Sequence, residues 1–144
     1  MYGYVLQDWI TVRGSATLAD VVQGESTWMG FSSFQDIVFW ADIREVTNPT
    51  TGGSVNLVFE TSPTKDDGLF TAMQTITGIT GGGLFTPLPK VILASGPTVP
   101  LATWVRWRLH PVGSSTLAWD ATFRVLVAAN RVVRDNGRAA SMFA

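Results

Sequence analysis

The chain has no cysteine and only one histidine among its 144 residues. Without cysteine there is no disulfide framework, no thiolate nucleophile and no thiolate ligand for a metal ion. With one histidine, His110, a zinc site or a serine–histidine–aspartate triad has little material. His110 precedes Pro111 at the end of an alternating segment, a position typical of a polar residue that closes a strand. The composition therefore predicts a protein that is not an enzyme and that has no cofactor, no catalytic residue and no metal ion.

Charge is also scarce, at 15% of the residues, whereas apolar residues make up 46%. Soluble domains carry about 25% charged residues, so we expect a partner to cover part of the surface. The net charge is −1, and Lys65 and Lys90 are the only lysines among ten basic residues. Interfaces enrich arginine and deplete lysine, although genomic base composition accounts for the bias equally well. The basic residues are scattered, so nucleic acid is not the expected partner.

Long hydrophobic runs are missing too. No stretch approaches the length needed to cross a bilayer. The N-terminal residues lack the basic segment and the apolar run of a signal peptide. We therefore expect no membrane partner and a soluble protein that is not exported by a signal within this chain.

Alternation of apolar and polar residues is clearest between Leu101 and Val127. Successive side chains of a strand point to opposite faces, so this period-2 pattern predicts strands with one face in a core. Glycine and serine residues at 112–116 separate two such strands. We predict a long antiparallel hairpin, with a first strand whose outer face carries Trp104, Arg106, Arg108 and His110.

The same pattern predicts strands at 5–13, 17–23, 35–46, 55–61 and 90–94, with a short apolar piece at 28–31. Residues 69–80 are ambiguous between a helical turn at 69–73 and a strand at 74–80. The prediction is an all-β, jelly-roll-like sandwich of two antiparallel sheets with about eight strands and extended terminal arms. The sandwich would span residues 1–130, with an N-terminal arm at 1–4, followed by a C-terminal tail at 131–144. Its predicted core comprises Leu6, Ile10, Val12, Phe39, Ile43, Leu57, Phe59, Val105, Trp107, Leu109, Trp119, Phe123 and Val125.

Two groups of residues could carry chemistry or binding. Asp66 and Asp67 could ligate calcium with loop carbonyls, or could cap a helical turn at 69–71, which the sequence favours. Trp104 with its neighbouring arginines, and Trp40 on another strand, could form an aromatic platform for sugar rings. Packing of these tryptophans against another strand or subunit is the commoner arrangement. Arg106 and Arg108 could also pair across strands with Asp120 or Glu60.

Three segments carry a resemblance to a known class of proteins: residues 28–40 (WMGFSSFQDIVFW), 60–70 (ETSPTKDDGLF) and 104–107 (WVRW). They resemble small structural proteins of tailed bacteriophages, in particular head-decoration or auxiliary capsid proteins of the β-sandwich type. The resemblance covers most of residues 5–130 and carries over no catalytic residue. It implies a cement protein on the surface of the virion, made in the host cytoplasm and bound where major capsid subunits meet. The implied partners are the major capsid protein and copies of the chain itself, most often as a trimer.

Affinity at such junctions would come from aromatic, aliphatic and arginine contacts. A carbohydrate-binding module and a tail- or fibre-associated sandwich domain are the alternatives, and a metal-dependent enzyme ranks third. Position and composition single out the two ends of the chain and the loop at 63–70 as the interface. The predicted interface residues are Tyr2, Tyr4, Pro63, Lys65, Asp66, Asp67, Leu69, Phe70, Arg131, Arg134, Met142 and Phe143.

Overall fold

The computed structural model describes residues 1–15, 18–47, 53–79, 90–94, 98–113 and 118–132. Strands dominate these residues, and short 3₁₀ helices at Glu25–Thr27 and Asp67–Leu69 are the helical turns among them. Within this part of the chain, no helix is long and apolar enough to span a membrane. The strands are β1 (Tyr2–Gly14), β2 (Val21–Val22), β3 (Met29–Gly30), β4 (Phe34–Thr47), β5 (Ser54–Ser62), β6 (Thr71–Ile79), β7 (Lys90–Ala94), β8 (Trp104–Val112) and β9 (Trp119–Arg131).

Two antiparallel sheets face each other. Sheet A has the order β1-β9-β4-β7, and sheet B has the order β2-β8-β5-β6, with β3 also paired to β8. The short strands β2 and β3 lie along the same edge of β8, through Val21↔Leu109 and Met29↔Val105. Together they act as one interrupted strand, which leaves eight strand positions in two sheets, the arrangement of a jelly roll. The predicted all-β sandwich of two antiparallel sheets with about eight strands is confirmed.

The core fills the space between the sheets, because the strands whose side chains the structure describes turn an apolar face inward. At its centre, Phe39 of sheet A stacks on Phe59 of sheet B with ring centroids 4.0 Å apart. Trp107 meets Phe123 edge-on at 5.1 Å. Every predicted core residue is buried except Ile10, which packs against the core while partly exposed.

The predicted hairpin of residues 101–127 is wrong. β8 pairs with β5 in sheet B, whereas β9 lies between β1 and β4 in sheet A. Both strands were correctly assigned an inward face, but those faces meet across the core, as the contact between Trp107 and Phe123 shows. A period of two fixes which face is buried and does not specify the hydrogen-bonded neighbour.

The predicted N-terminal arm is also wrong for residues 2–4. Tyr2 and Tyr4 lie in β1 and pair with Ala129 and Val127 of β9. The ring of Tyr4 packs edge-on against Phe34 at 5.6 Å. The aromatic side chains at the start of β1 provide contact area that keeps these residues in the strand. The ambiguous segment at 69–80 resolves into the end of a 3₁₀ helix followed by β6.

Gln23 joins the two sheets where β2 ends. Its side-chain nitrogen donates to the carbonyl oxygens of Leu6 (3.2 Å) and Thr27 (2.9 Å), and its side-chain oxygen accepts from the backbone N–H of Trp107 (3.0 Å). Its backbone oxygen accepts from the indole of Trp28 at 2.8 Å. The side-chain amide of Gln23 thus makes the hydrogen bonds that a continuous strand would make through its backbone. Because these polar groups are paired, the side chain can be buried.

Candidate interaction surfaces

The outer face of sheet B carries a chain of alternating charges along β8. Arg106 lies directly opposite Glu60 of β5 and donates to its Oε2 at 2.8 Å. Arg108 donates through Nε to the other oxygen of Glu60 at 2.8 Å, and through a terminal nitrogen to Asp20 at 2.5 Å. His110 Nδ1 lies 2.6 Å from the second oxygen of Asp20. The predicted cross-strand pairing with Glu60 is confirmed for both arginines.

The loop at 63–70 folds over this charged row. Arg106 also pairs with Asp67, and its guanidinium lies over the rings of Phe70 (3.9 Å) and Trp28 (5.0 Å). Phe70 and Trp28 contact each other with centroids 4.7 Å apart. As a result, the side chains of Arg106 and Glu60 are each only 6% exposed. A charged pair on the outer face of a sheet is therefore buried beneath aromatic side chains and the loop.

Within the loop, the two aspartates have separate structural roles. Asp66 is the N-cap of the 3₁₀ helix and accepts from the backbone N–H of Gly68 at 3.0 Å. Asp67 pairs with Arg106. Asp66 therefore caps a helical turn as predicted, but the turn is at Asp67–Leu69 and not at 69–71. Across the described ranges, no group of three or more histidine and acidic side chains is placed to hold a metal ion.

Asp20 ties the segment before β2 to the end of the charged row. Burial alone would raise the pKa of Asp20, but hydrogen bonds and positive charge from His110 and Arg108 outweigh it, so its pKa lies below the ordinary value of 3.8. Burial likewise opposes the charged form of Arg108, yet the bonds to Glu60 and Asp20 raise its pKa. The ionised form of Asp20 therefore stabilises the folded state.

We expect this coupling to appear as a pH dependence of stability. A carboxyl group with a depressed folded-state pKa contributes stability above pH 3.8 and loses it as the pH falls further. Because Asp20 and its partner Arg108 are partly exposed, Asp20→Asn should lower the free energy of unfolding by about 0.5–1 kcal/mol at pH 7. Urea unfolding at pH 7, 5 and 3 would show the deficit shrinking at the lowest pH.

The matched control for this substitution is Asp8→Asn. Among the described residues, the carboxylate of Asp8 accepts from the backbone N–H of Trp9 and has no charged partner. The control should change stability by a smaller amount and with a weaker dependence on pH. A deficit for Asp20→Asn that stays constant from pH 7 to 3 would contradict the electrostatic explanation.

The outer face of sheet A carries two adjacent apolar rows. Val5, Leu126 and Trp40 lie side by side in register on β1, β9 and β4, and Ala128 and Val38 occupy the next row. Val5 is exposed, and the other four are partly buried. Toward the end of β9, the next row is polar, where the side-chain amide of Asn130 donates to Asp36 at 2.9 Å.

On their other side, the apolar rows are flanked by arginines and Asp42. The guanidinium groups of Arg44 and Arg124 lie over the ring of Trp9 at 4.1 and 4.8 Å, and Arg124 also pairs with Asp42 at 2.9 Å. Such cation–π contacts hold arginine side chains flat against a sheet. The tryptophan ring and its arginines thus form a border on the surface of sheet A.

The aromatic platform suggested by the sequence does not form from its two tryptophans. Trp40 lies on the outer face of sheet A and Trp104 on the outer face of sheet B, so they face opposite sides of the sandwich. Trp104 is covered by the ammonium group of Lys65, 4.5 Å from the ring centroid, and it packs near Gly30. Sugar binding by a shared aromatic surface therefore has no support in this arrangement.

The structure separates the predicted interface residues into two groups. The first is the loop at 63–70 on sheet B, where Leu69 is exposed and Phe70 is half buried. The second lies at the end of sheet A, where the guanidinium of Arg131 is 5.4 Å from the ring of Tyr2. Arg134, Met142 and Phe143 lie outside the described residues, so their assignment stays a prediction.

Sequence reasoning missed Trp28 and Gln23 as contributors to sheet B. Trp28 appeared only as part of a short apolar piece, although it supplies half of the aromatic cover over Arg106. No periodic signal marks it, because its role depends on a loop that is distant in sequence.

Comparison with known proteins gives similarity of fold only. No family model matches the chain, and no curated protein matches its sequence. Among solved structures, it is similar to the VP2 subviral particle of infectious bursal disease virus, with a TM-score of 0.52, 10% identity and 94% of this chain covered. A structure of the Gx strain of the same virus matches with a TM-score of 0.48, 14% identity and 94% coverage. The chain spans about a third of the length of these proteins, 34% and 33%. The likeness shows that this sandwich also occurs within a viral particle protein.

Proposed function

We propose that this protein is a non-enzymatic structural component of a virus particle. Two observations support the proposal: the jelly-roll fold, which is similar to a part of the VP2 subviral particle, and the two surfaces rich in aromatic and aliphatic side chains. Jelly rolls are common in viral capsids and also occur in lectins, so the fold alone does not decide between these functions. The surfaces favour the particle, since the tryptophans that would bind sugars are on opposite sides.

In more detail, we propose a decoration or cement protein of a bacteriophage head that binds at junctions between major capsid subunits and contacts copies of itself, as a trimer. The loop at 63–70 would form one contact surface, through Pro63, Lys65 and Leu69. The end of sheet A, with Tyr2 and Arg131, would form another. Clusters of aromatic and arginine side chains are the kind of residues that dominate binding at protein interfaces.

The experiment is sedimentation of particles assembled with the protein, with the bound copies counted against the dominant shell protein by mass spectrometry. We expect a fixed ratio, and its value would separate a head position from a tail or fibre position. Leu69→Asp should weaken binding about tenfold, as expected for a residue worth roughly 1.4 kcal/mol at an interface, and occupancy falls by the same factor when the protein is well below its dissociation constant.

Val112→Asp is the matched control, because Val112 is also an exposed apolar residue but lies at the far end of β8. Its occupancy should equal that of the unchanged protein. If the unchanged protein stays in the soluble fraction, the particle function is wrong, and tryptophan fluorescence with a glycan panel would then test the carbohydrate alternative. If both substitutions lower occupancy equally, the loop is not the contact surface.

A further inference from the structure

The two apolar rows on the outer face of sheet A differ in the size of their side chains. Both rows cross β1, β9 and β4 in register: the bulky row is Val5, Leu126 and Trp40, and the small row is Gly3, Ala128 and Val38. Val5 is 50% exposed. The surface above Gly3 is open, since a Cβ there would meet no atom within 4 Å. The bulky row therefore stands out from the sheet beside a shallow strip formed by the small row.

The borders of the two rows carry opposite charge. Beyond the small row, the carboxylate of Asp36 binds the side-chain amide of Asn130 and has no cationic partner among the described residues. Beyond the bulky row, Arg124 is paired with Asp42. Arg44 lies at the same border, is exposed, and forms no ion pair with the part of the chain that the structure describes. One border thus has an unbalanced negative charge, and the other has an unbalanced positive charge.

This arrangement is self-complementary under a two-fold rotation. Consider two copies whose outer faces of sheet A meet, with the rotation axis between them, parallel to the rows and midway between the two rows. The rotation lays the bulky row of each copy on the small row of the other. Along β9, Arg124 and Asn130 are each three residues from the midpoint at Val127, so the border of Arg44 also meets the border of Asp36. A contact between two identical copies requires one patch that matches itself in this way.

We propose that two copies of this chain dock face to face through the outer face of sheet A, with Asp36 of each copy paired with Arg44 of the other. A second copy is the occupant because shape and charge on this face both match the same face rotated. The area between the borders is six residues long on three strands, or roughly 300 Å² per copy. Stable interfaces bury about 800 Å² per partner, so the dimer is weak and reversible.

Charge reversal on each border gives a direct test. In a dimer of Asp36→Lys, the new lysine would face Arg44 of the other copy, and in a dimer of Arg44→Glu, two carboxylates would face each other. A one-to-one mixture of the two variants instead places opposite charges at both contacts of a mixed dimer. The measurement is sedimentation equilibrium of the purified full chain at about 10 µM to 1 mM, a range that covers weak dissociation constants.

We expect the unchanged protein to show an equilibrium that includes the dimer, and each single variant to dimerise at least tenfold more weakly. The mixture should return to within about threefold of the unchanged protein. Arg13→Glu is the matched control, because Arg13 is exposed on the same face of sheet A but lies opposite Asp120, two rows beyond Arg124. It should leave dimer formation unchanged, and circular dichroism would confirm that all variants are folded.

Three results would overturn the proposal: no dimer at about 1 mM, equal weakening by the control and by Arg44→Glu, or a mixture no better than the single variants. A shell protein as the occupant of this face would appear as loss of particle binding by Arg44→Glu without any dimer in solution, which also overturns it.

The inference goes beyond the proposed function, and its test is separate. The isolated protein is sufficient for the measurement, so a chain that never dimerises could still bind a particle through the loop at 63–70. Conversely, the dimer would stand even if the protein did not sediment with particles.

Discussion

The Gly14→Ala substitution is expected to lower the free energy of unfolding by about 3 kcal/mol or more, above the usual range for overpacked cores. Gly14 ends β1 directly opposite Trp119, whose ring is fully buried over the glycine Cα. A Cβ at this position would lie 1.9 Å from Cε2 and 2.0 Å from Nε1 of the indole. The ring is held by the core and cannot withdraw without opening a cavity elsewhere. Urea unfolding followed by circular dichroism would measure the loss.

Two further variants separate this steric effect from a general effect of removing glycine. Gly3→Ala changes the same strand at a position where the added Cβ meets no atom within 4 Å, and it should be neutral within about 0.5 kcal/mol. In a Trp119→Phe background, Gly14→Ala should cost markedly less, because phenylalanine lacks the five-membered ring with the clashing Nε1 atom. The Nε1 of Trp119 is also the one buried side-chain polar atom among the described residues without a hydrogen-bond partner. Equal costs in the two backgrounds would show that the clash is not the cause.

The Gly14–Trp119 contact illustrates what the sequence could predict. Alternation placed Trp119, Phe123 and Val125 on one face, and all three are buried. The fold class followed from many such strands separated by turn residues. Burial by face is a local property of each strand, so it can be read without knowing the neighbours. The close approach of the indole to a glycine on β1 is not local, since 105 positions separate Gly14 from Trp119.

The same distinction explains the errors. The sequence assigned Arg106 to the outer face of β8, which is correct, but its near-complete burial could not be predicted. That burial results from Phe70 and Trp28, which come from two other parts of the chain. The hairpin was wrong for a related reason, because a polar glycine-containing connection can join strands within one sheet or across two. The loop at 63–70 was identified by its composition, whereas its anchoring through Asp67 required the structure.

Removal of Glu60 is expected to have an effect of the same size as Gly14→Ala. The Glu60→Leu substitution should lower the free energy of unfolding by about 3–5 kcal/mol, the range for breaking one partner out of a buried ion pair. Glu60 accepts from Arg106 and Arg108 with one oxygen each, and its side chain is 6% exposed. Without Glu60, the guanidinium groups of Arg106 and Arg108 lie side by side on the same face of β8 with no carboxylate between them. Arg106 then keeps the exposed Asp67 as its anionic partner. Urea unfolding at pH 7 would measure the change.

The double variant Glu60→Leu with Arg106→Met decides whether the loss comes from the charge or from the shape of the site. Methionine can fill the slot between Trp28 and Phe70, and Arg108 retains its pair with Asp20. If the cost of the single change is an unpaired buried cation, the double variant should be more stable than Glu60→Leu alone, since apolar replacements of buried pairs are often neutral. The partly exposed Asp42–Arg124 pair on sheet A is the control, and Asp42→Leu should cost about 1 kcal/mol or less. A double variant that is less stable than Glu60→Leu would mean that the arginine stabilises sheet B mainly by its contacts with the two aromatic rings.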